Sequence, residues 1–215
     1  MCNRYGFGSR LHQMSEEMSQ LKIPLRFDQT GLPNLEPRED IRPTNRAPII
    51  RTVEDGAEIV ERRWDLVPFF HKGPLKAKKY LCTNARSETV ATQPAFREAF
   101  KRRRCLVPAS HWFEWTGDKG AKTKWKFTVV DQEWFCFAGL WDRAETEDGT
   151  VESFTILTCA PGEDCSPYHN RQPVVLERGA WAAWLDPEAG CDEALRALPA
   201  GRVRVERAEA AVAAG

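Results

Sequence analysis

The sequence has no surplus of either charge: 31 Lys and Arg stand against 31 Asp and Glu in 215 residues. A neutral total gives no global attraction to a polyanion, so any nucleic-acid contact has to come from local basic patches. No apolar run comes near the ~18 residues of a membrane span. The first 30 residues carry Arg4, Arg10, Glu16, Glu17 and Lys22 and lack the apolar stretch of a signal peptide or a lipoprotein leader. A protein of the cytosol or nucleoid, without membrane association, is expected. No paired C-x-x-C accompanies Cys159, Cys165 and His169, so a structural zinc site is not expected, and neither is any other metal or cofactor. An odd count of seven cysteines, without a secretion signal, points to reduced thiols. Internal repeats of about 20–50 residues are missing, which excludes a solenoid or propeller. Without long heptads or a large apolar stripe, the expected state is a monomer.

What is present reads as one globular domain, with 42% hydrophobic residues. Leu11, Met14, Met18 and Leu21 recur at helical spacing and predict a helix over residues 11–22, ended by Pro24. Residues 24–48 hold five prolines and predict a long ordered loop or cover segment. Strands are predicted at Ile49–Val53, Ile59–Val67, Cys105–Pro108, Trp112–Trp115, Phe154–Cys159, Pro173–Glu177 and Val203–Val205. Lys124–Val130 and Trp134–Leu140, separated by Asp131-Gln132-Glu133, predict a hairpin. Helices are predicted at Gln93–Arg103, at Gly179–Leu185 and within residues 186–200. The fold class is α+β: a closed or strongly curved, mainly antiparallel sheet with peripheral helices over residues 1–207. Residues 208–215 are expected to be a frayed tail.

Cys2 is the residue with the most distinctive chemistry. Removal of Met1 would place a free α-amine and a thiol on one residue, with ordinary pKa values of about 7.7–8.0 and 8.5. Such a 1,2-aminothiol condenses with an aldehyde to an imine, which the thiol closes to a thiazolidine. The same pair can serve as an N-terminal nucleophile on acyl groups. The bland alternative is a chance cysteine on a frayed end.

Three segments hold polar residues that strand patterning does not demand. Asn84 and Arg86, two apart, share a face of an extended segment and suit orientation of a reacting group and a phosphate; an N-cap and turn ahead of the next helix is the alternative. Glu114, between Phe113 and Trp115, is placed where desolvation raises a carboxyl pKa, or else faces solvent on an alternating strand. His169 and Arg171 precede an apolar strand and suit proton transfer and phosphate binding, unless the histidine is a structural loop residue. His111 reads as a loop residue. Lys72, Lys76, Lys78 and Lys79, then Arg97 and Lys101 to Arg104, form basic clusters among aromatics and prolines that suit a single-stranded polyanion or a merely solvated face.

Taken in order, these segments resemble the SOS response-associated peptidase family of abasic-site processing proteins. The resemblance rests on Met1-Cys2-x-Arg4-Tyr5, Arg42-Pro43-Thr44, Arg63-Trp64-x-Leu66-Val67-Pro68 and Asn84-Ala85-Arg86-Ser87-Glu88-Thr89. It continues through Arg103 to Ala109, Phe113-Glu114-Trp115, Ala138-Gly139-Leu140-Trp141 and His169-x-Arg171-x-Pro173-Val174. The resemblance implies loss of Met1, by self-cleavage, and capture by Cys2 of the ring-opened aldehyde of an abasic site in single-stranded DNA as a thiazolidine crosslink. It implies that Asn84 orients Cys2 or the sugar, that Glu114 is the general acid/base for the imine and for reversal, and that His169 assists ring opening. It gives Arg4, Arg86 and Arg171 the flanking phosphates, and Trp64 and Pro43 the shaping of the DNA channel. Asn3, Asp65, Phe69-Phe70, Ser110-His111, Asn170 and Gln172 depart from the family's usual residues, which touches channel shape and DNA-end preference more than chemistry. Two other readings stay open: a cysteine peptidase or amidohydrolase acting on other substrates, and a non-catalytic single-strand binder.

Overall fold

In the computed structural model, which describes residues 2–8, 11–26, 35–54 and 56–208, the apolar runs of the middle of the chain close into a ring. The strands in chain order are β1 Tyr5–Phe7, β2 Leu25–Arg26, β3 Arg38–Ile41, β4 Arg46–Val53, β5 Gly56–Trp64, β6 Asn84–Arg86 and β7 Arg104–Ala109. They continue as β8 His111–Thr116, β9 Thr123–Val129, β10 Phe135–Thr146, β11 Gly149–Cys159, β12 Gln172–Pro173, β13 Val175–Leu176 and β14 Val203–Arg207. The helices are α1 Leu11–Gln20, α2 Arg97–Arg102 and α3 Trp181–Leu185. β4 pairs with β5, β5 lies parallel to β11, and β11, β10 and β7 lead antiparallel back to β4. Closure of these five strands leaves no free edge in the ring. The expected α+β class with a barrel-like, mainly antiparallel core is therefore what forms.

A second, antiparallel sheet runs β14-β9-β8-β1-β3. It meets the barrel through Trp112, whose ring stacks on Phe127 and meets Phe135 and Phe137 of β10 edge-on. β6 adds to the barrel beside β11, Asn84 opposite Ile156. The chain start, β1 and β8 thus come from one sheet, and β6 from the other.

The expected hairpin over residues 124–140 does not form. β9 pairs with β8 and β14, whereas β10 pairs with β7, β11 and β13. The reason lies in burial: Phe135 to Leu140 are buried without a break, so β10 needs cover on both faces, whereas β9 buries only Phe127 and Val129. Asp131, at φ 60°, turns the chain from one sheet to the other. Residues 186–200 form only a 3-10 turn at Asp192–Ala194 instead of a helix, and the Gln93–Arg103 helix shortens to α2. The cover segment contributes β2 and β3, with residues 27–34 outside the described part. The tail is described only at Ala208, whose N–H donates to the Lys124 carbonyl; residues 209–215 lie outside the described part.

His111 is not a loop residue but a buried member of β8. Its Nδ1 lies 3.0 Å from Ser110 Oγ and its Nε2 3.2 Å from the Glu39 carbonyl. The imidazole packs against Gly6, where a Cβ would stand 2.1 Å from Cε1. Only glycine lets β1 pass the ring at that distance. Gly6→Ala should cost about 1–3 kcal/mol by overpacking, measured by urea unfolding, and adding His111→Ala should recover part of the loss. An unchanged midpoint for the single variant would contradict this packing.

Candidate active site

The segment from Cys2 onward is packed rather than frayed. Cys2 is 1% exposed, and its thiol donates weakly to the Arg4 carbonyl across 3.7 Å. Its own carbonyl accepts a 2.8 Å hydrogen bond from Asn84 Nδ2. β6 places that amide as its alternation requires: Ala85 turns inward, and Asn84 and Arg86 face the other way. Thr83 Oγ1 lies 3.3 Å from the same Nδ2, and the Thr83 carbonyl is held at 2.8 Å by the indole N–H of Trp64. Asn84 Oδ1 is buried with no hydrogen-bond partner among the described residues.

Glu114 enters from β8 on the same side as Trp112 and is 4% exposed, which rules out the solvent-facing alternative. Burial pushes its carboxyl up to about 7, and the charge of the chain's terminal amine works against the shift. Burial also lifts the Cys2 thiol above its ordinary range, and Glu114 adds to that rise. His169 comes from the loop between β11 and β12, its Nε2 3.9 Å from Glu114 Oε2. Burial, then the terminal amine, lower the imidazole's pKa, against a smaller raising effect of the Arg171 backbone. His169 Nδ1 lies 3.0 Å from both the Arg171 amide nitrogen and the Arg171 carbonyl oxygen; a neutral ring that accepts the amide N–H carries its proton on Nε2, toward Glu114. Cys2, Asn84, Glu114 and His169, far apart in sequence, thus converge. A thiol, a carboxylic acid and an imidazole held near neutrality can exchange protons without building net charge in a dry site.

The residues expected to contact DNA divide. Arg86 is exposed on the Asn84 face. The Arg4 guanidinium stacks over Trp115 at 5.4 Å, and its Nε lies 3.4 Å from Asp40 Oδ1. Together with Asn3, Arg42, Pro43 and Lys122, Arg4 and Trp115 line an open cleft of about 430 Å³. Trp64 is fully buried against Tyr5 and Phe154, has no surface to offer DNA, and acts by fixing Thr83 next to Asn84. The Arg171 fork is already filled by Glu88 and the Thr158 carbonyl.

The basic clusters are thinner than the sequence suggested. Arg104 is buried and donates to the Pro187 and Ala189 carbonyls, Arg103 faces Asp142, and Lys78 faces Asp65. Asp65 shows what its departure from glycine does. At φ 139° it adopts a backbone that glycine tolerates better, while its carboxylate accepts from Lys78 Nζ at 2.6 Å and the Cys82 amide at 2.7 Å. That anchor fixes the approach to Thr83 and Asn84. Thr83 and Glu88 were given no role from the sequence, and Asp65 only that of a departure from the family pattern, because a hydroxyl or carboxylate in a loop announces no partner.

Comparison with known proteins fits this arrangement. The profile of the SOS response associated peptidase (SRAP) family matches residues 1–213. The abasic site processing protein YoaM of Bacillus subtilis is 31% identical over 180 residues, covering 80% of this chain and 78% of that protein. The abasic site processing protein HMCES of Gallus gallus is 28% identical, covering 60% of this chain and 45% of that protein. An X-ray structure of a Bacteroides thetaiotaomicron protein superposes with a TM-score of 0.81 at 21% identity, covering 97% of this chain and 92% of that one. One from Bordetella bronchiseptica gives a TM-score of 0.75 at 26% identity, covering 97% and 100%. With a buried Cys2, its polar neighbours and a matched length of 213 residues, the chain belongs to the SOS response associated peptidase family.

Proposed function

We propose that this protein captures abasic sites in single-stranded DNA through Cys2, as a stable thiazolidine, once Met1 has been removed. The observation that carries the reading is the burial of Cys2 beside a carboxyl with a pKa near 7, its carbonyl gripped by Asn84. The names of the related abasic site processing proteins point to the same substrate.

The reading includes release of Met1 by the protein itself. The thiol attacks the Met1 carbonyl, the peptide bond becomes a thioester, and water frees methionine. The new amine then finds an acceptor in Asn84 Oδ1. His169 and Glu114 exchange protons as the deoxyribose ring opens to its C1′ aldehyde. The amine adds to C1′, and protonated Glu114 gives its proton to the departing hydroxyl and takes one back from the nitrogen, so one water leaves and an imine forms. The sulfur adds to the imine carbon while the thiol proton passes, through Glu114, to the nitrogen. One C–N and one C–S bond replace the C=O bond, and reversal uses the same acid and base. Arg4 and Arg86 hold the flanking phosphates, and Pro43 with Trp115 borders the strand's path. Phe69, Phe70, Tyr80 and Leu81, exposed on the loop before Asn84 with Lys72, Lys76 and Lys79, provide stacking surface. Arg171 takes a phosphate only if Glu88 leaves it.

The direct test incubates processed protein with an oligonucleotide carrying one abasic site and then boils it in SDS. A covalent shifted band is expected, absent in Cys2→Ala and in protein whose Met1 is blocked from removal. No band from correctly processed protein sinks the proposal. A band retained by Cys2→Ala would favour another nucleophile, and equal non-covalent binding of intact and abasic strands would favour a simple binder.

The pH dependence follows from Glu114. Its proton is lost as pH rises through about 7, so crosslinking should slow on that limb. Glu114→Gln should be slower by about 10²-fold and should lack the limb; a wild-type rate unchanged from pH 6 to 8 would contradict the assignment. Stability carries the same sign. A raised folded pKa makes the buried acid least costly below the ordinary carboxylate range and most costly above about 7. Glu114→Gln should therefore melt above wild type at pH 8, by about 2–4 °C per kcal/mol relieved, and the gap should close toward pH 4.

A further inference from the structure

Glu88 has no role in the chemistry above, yet it holds the most strongly bonded arginine near the site. Arg171 Nη1 donates to Glu88 Oε1 at 2.5 Å and Nη2 to Oε2 at 2.9 Å, a forked pair. Nη2 also donates to the Thr158 carbonyl at 2.6 Å, at the end of β11. Glu88 itself follows β6 by two residues, and the Ser87 amide donates to that same Thr158 carbonyl at 2.8 Å. The fork therefore joins the segment that carries Asn84 to the loop that carries His169. An exposed ion pair alone is worth little. Here the guanidinium side chain is only 17% exposed and has protein acceptors on two sides, so its position is fixed by both Glu88 oxygens and by the Thr158 carbonyl and hydroxyl.

The next link is backbone. The Arg171 amide N–H donates to His169 Nδ1, and the Arg171 carbonyl lies 3.0 Å from the same nitrogen. The amide serves a ring with a bare Nδ1; the carbonyl accepts from Nδ1–H in any form of the ring that carries one. Either way, where the imidazole sits depends on where Arg171 is held. Nε2 then faces Glu114 Oε2 at 3.9 Å.

We propose that Glu88 is a positioning residue for this site: through its fork to Arg171 it sets the distance between the Asn84 strand and the His169 ring, and so aims His169 at Glu114 and Cys2. This rests on the crosslinking reading above. A different role for the same contact is that Glu88 occupies a phosphate site on Arg171 and is displaced by DNA. The Thr158 carbonyl argues against it, because a phosphate entering the fork would come to lie beside that carbonyl oxygen.

The test measures the crosslinking rate against concentration of an abasic-site oligonucleotide for wild type, Glu88→Gln, Glu88→Asp, Arg171→Met and the Glu88→Gln/Arg171→Met pair. Glu88→Gln is expected to lower the saturating rate about tenfold, as small misplacements of a reacting group do, with half-saturation moved less than about twofold. Glu88→Asp should retain most of the rate, and the double variant should be no slower than Arg171→Met alone, because the two act as one unit. Imidazole 15N shifts give a second readout that needs no DNA: the neutral Nε2–H tautomer of His169 in wild type, and a mixture in Glu88→Gln. A lower half-saturation with an undiminished rate overturns the proposal in favour of a phosphate-site plug, as does an unchanged rate with an unchanged tautomer. If wild type forms no crosslink, the functional reading falls, while the 15N measurement still decides whether Glu88 positions the ring.

Discussion

Holding Cys2 and β1 out of water is the constraint on which the rest of this structure depends. Terminal residues gain entropy by fraying, so their burial needs specific bonds to oppose it. Here β1 is fixed between β3 and β8, the His111 ring lies on Gly6, and Asn84 reaches across from the barrel to the Cys2 carbonyl. The two sheets meet where those contacts cross. Trp112 and Tyr5 lock the meeting by packing edge-on against Phe137.

Burial also explains the chemistry available there. Desolvation disfavours every charged form, so it lifts the Cys2 thiol and the Glu114 carboxyl and lowers the His169 imidazole. Three groups with quite different ordinary pKa values are thereby driven toward neutral states at the same pH. Charge is kept outside that centre, on Arg4 above Trp115, on Arg86, and on Arg171 within its carboxylate fork. A buried centre with arginines at its rim suits a reaction that moves protons beside a phosphate backbone.

Much of this was legible in the sequence because it is local. Alternation on β6 put Asn84 and Arg86 on one face, and aromatic neighbours marked Glu114 for desolvation. The ordered family motifs brought Cys2 and His169 into the same site. What sequence could not show was partner choice at a distance. The family resemblance gives Trp64 a place on the DNA channel until its indole N–H is seen to hold the Thr83 carbonyl inside the core. Arg171 reads as a phosphate ligand until Glu88 fills its fork. The false hairpin at residues 124–140 has the same origin: two adjacent strand-like runs look paired, and only the uninterrupted burial of β10 shows that each belongs to a different sheet.

The central claim is that the amine and the sulfur of Cys2 act on one aldehyde together. Nuclease digestion of the crosslinked species, followed by mass spectrometry of the modified peptide, tests it most directly. The account predicts a peptide that begins at Cys2, carries the deoxyribose remnant joined with loss of one water, and does not react with a thiol alkylating reagent. A modified peptide that still begins with Met1, or one in which the Cys2 thiol remains alkylatable, would contradict it.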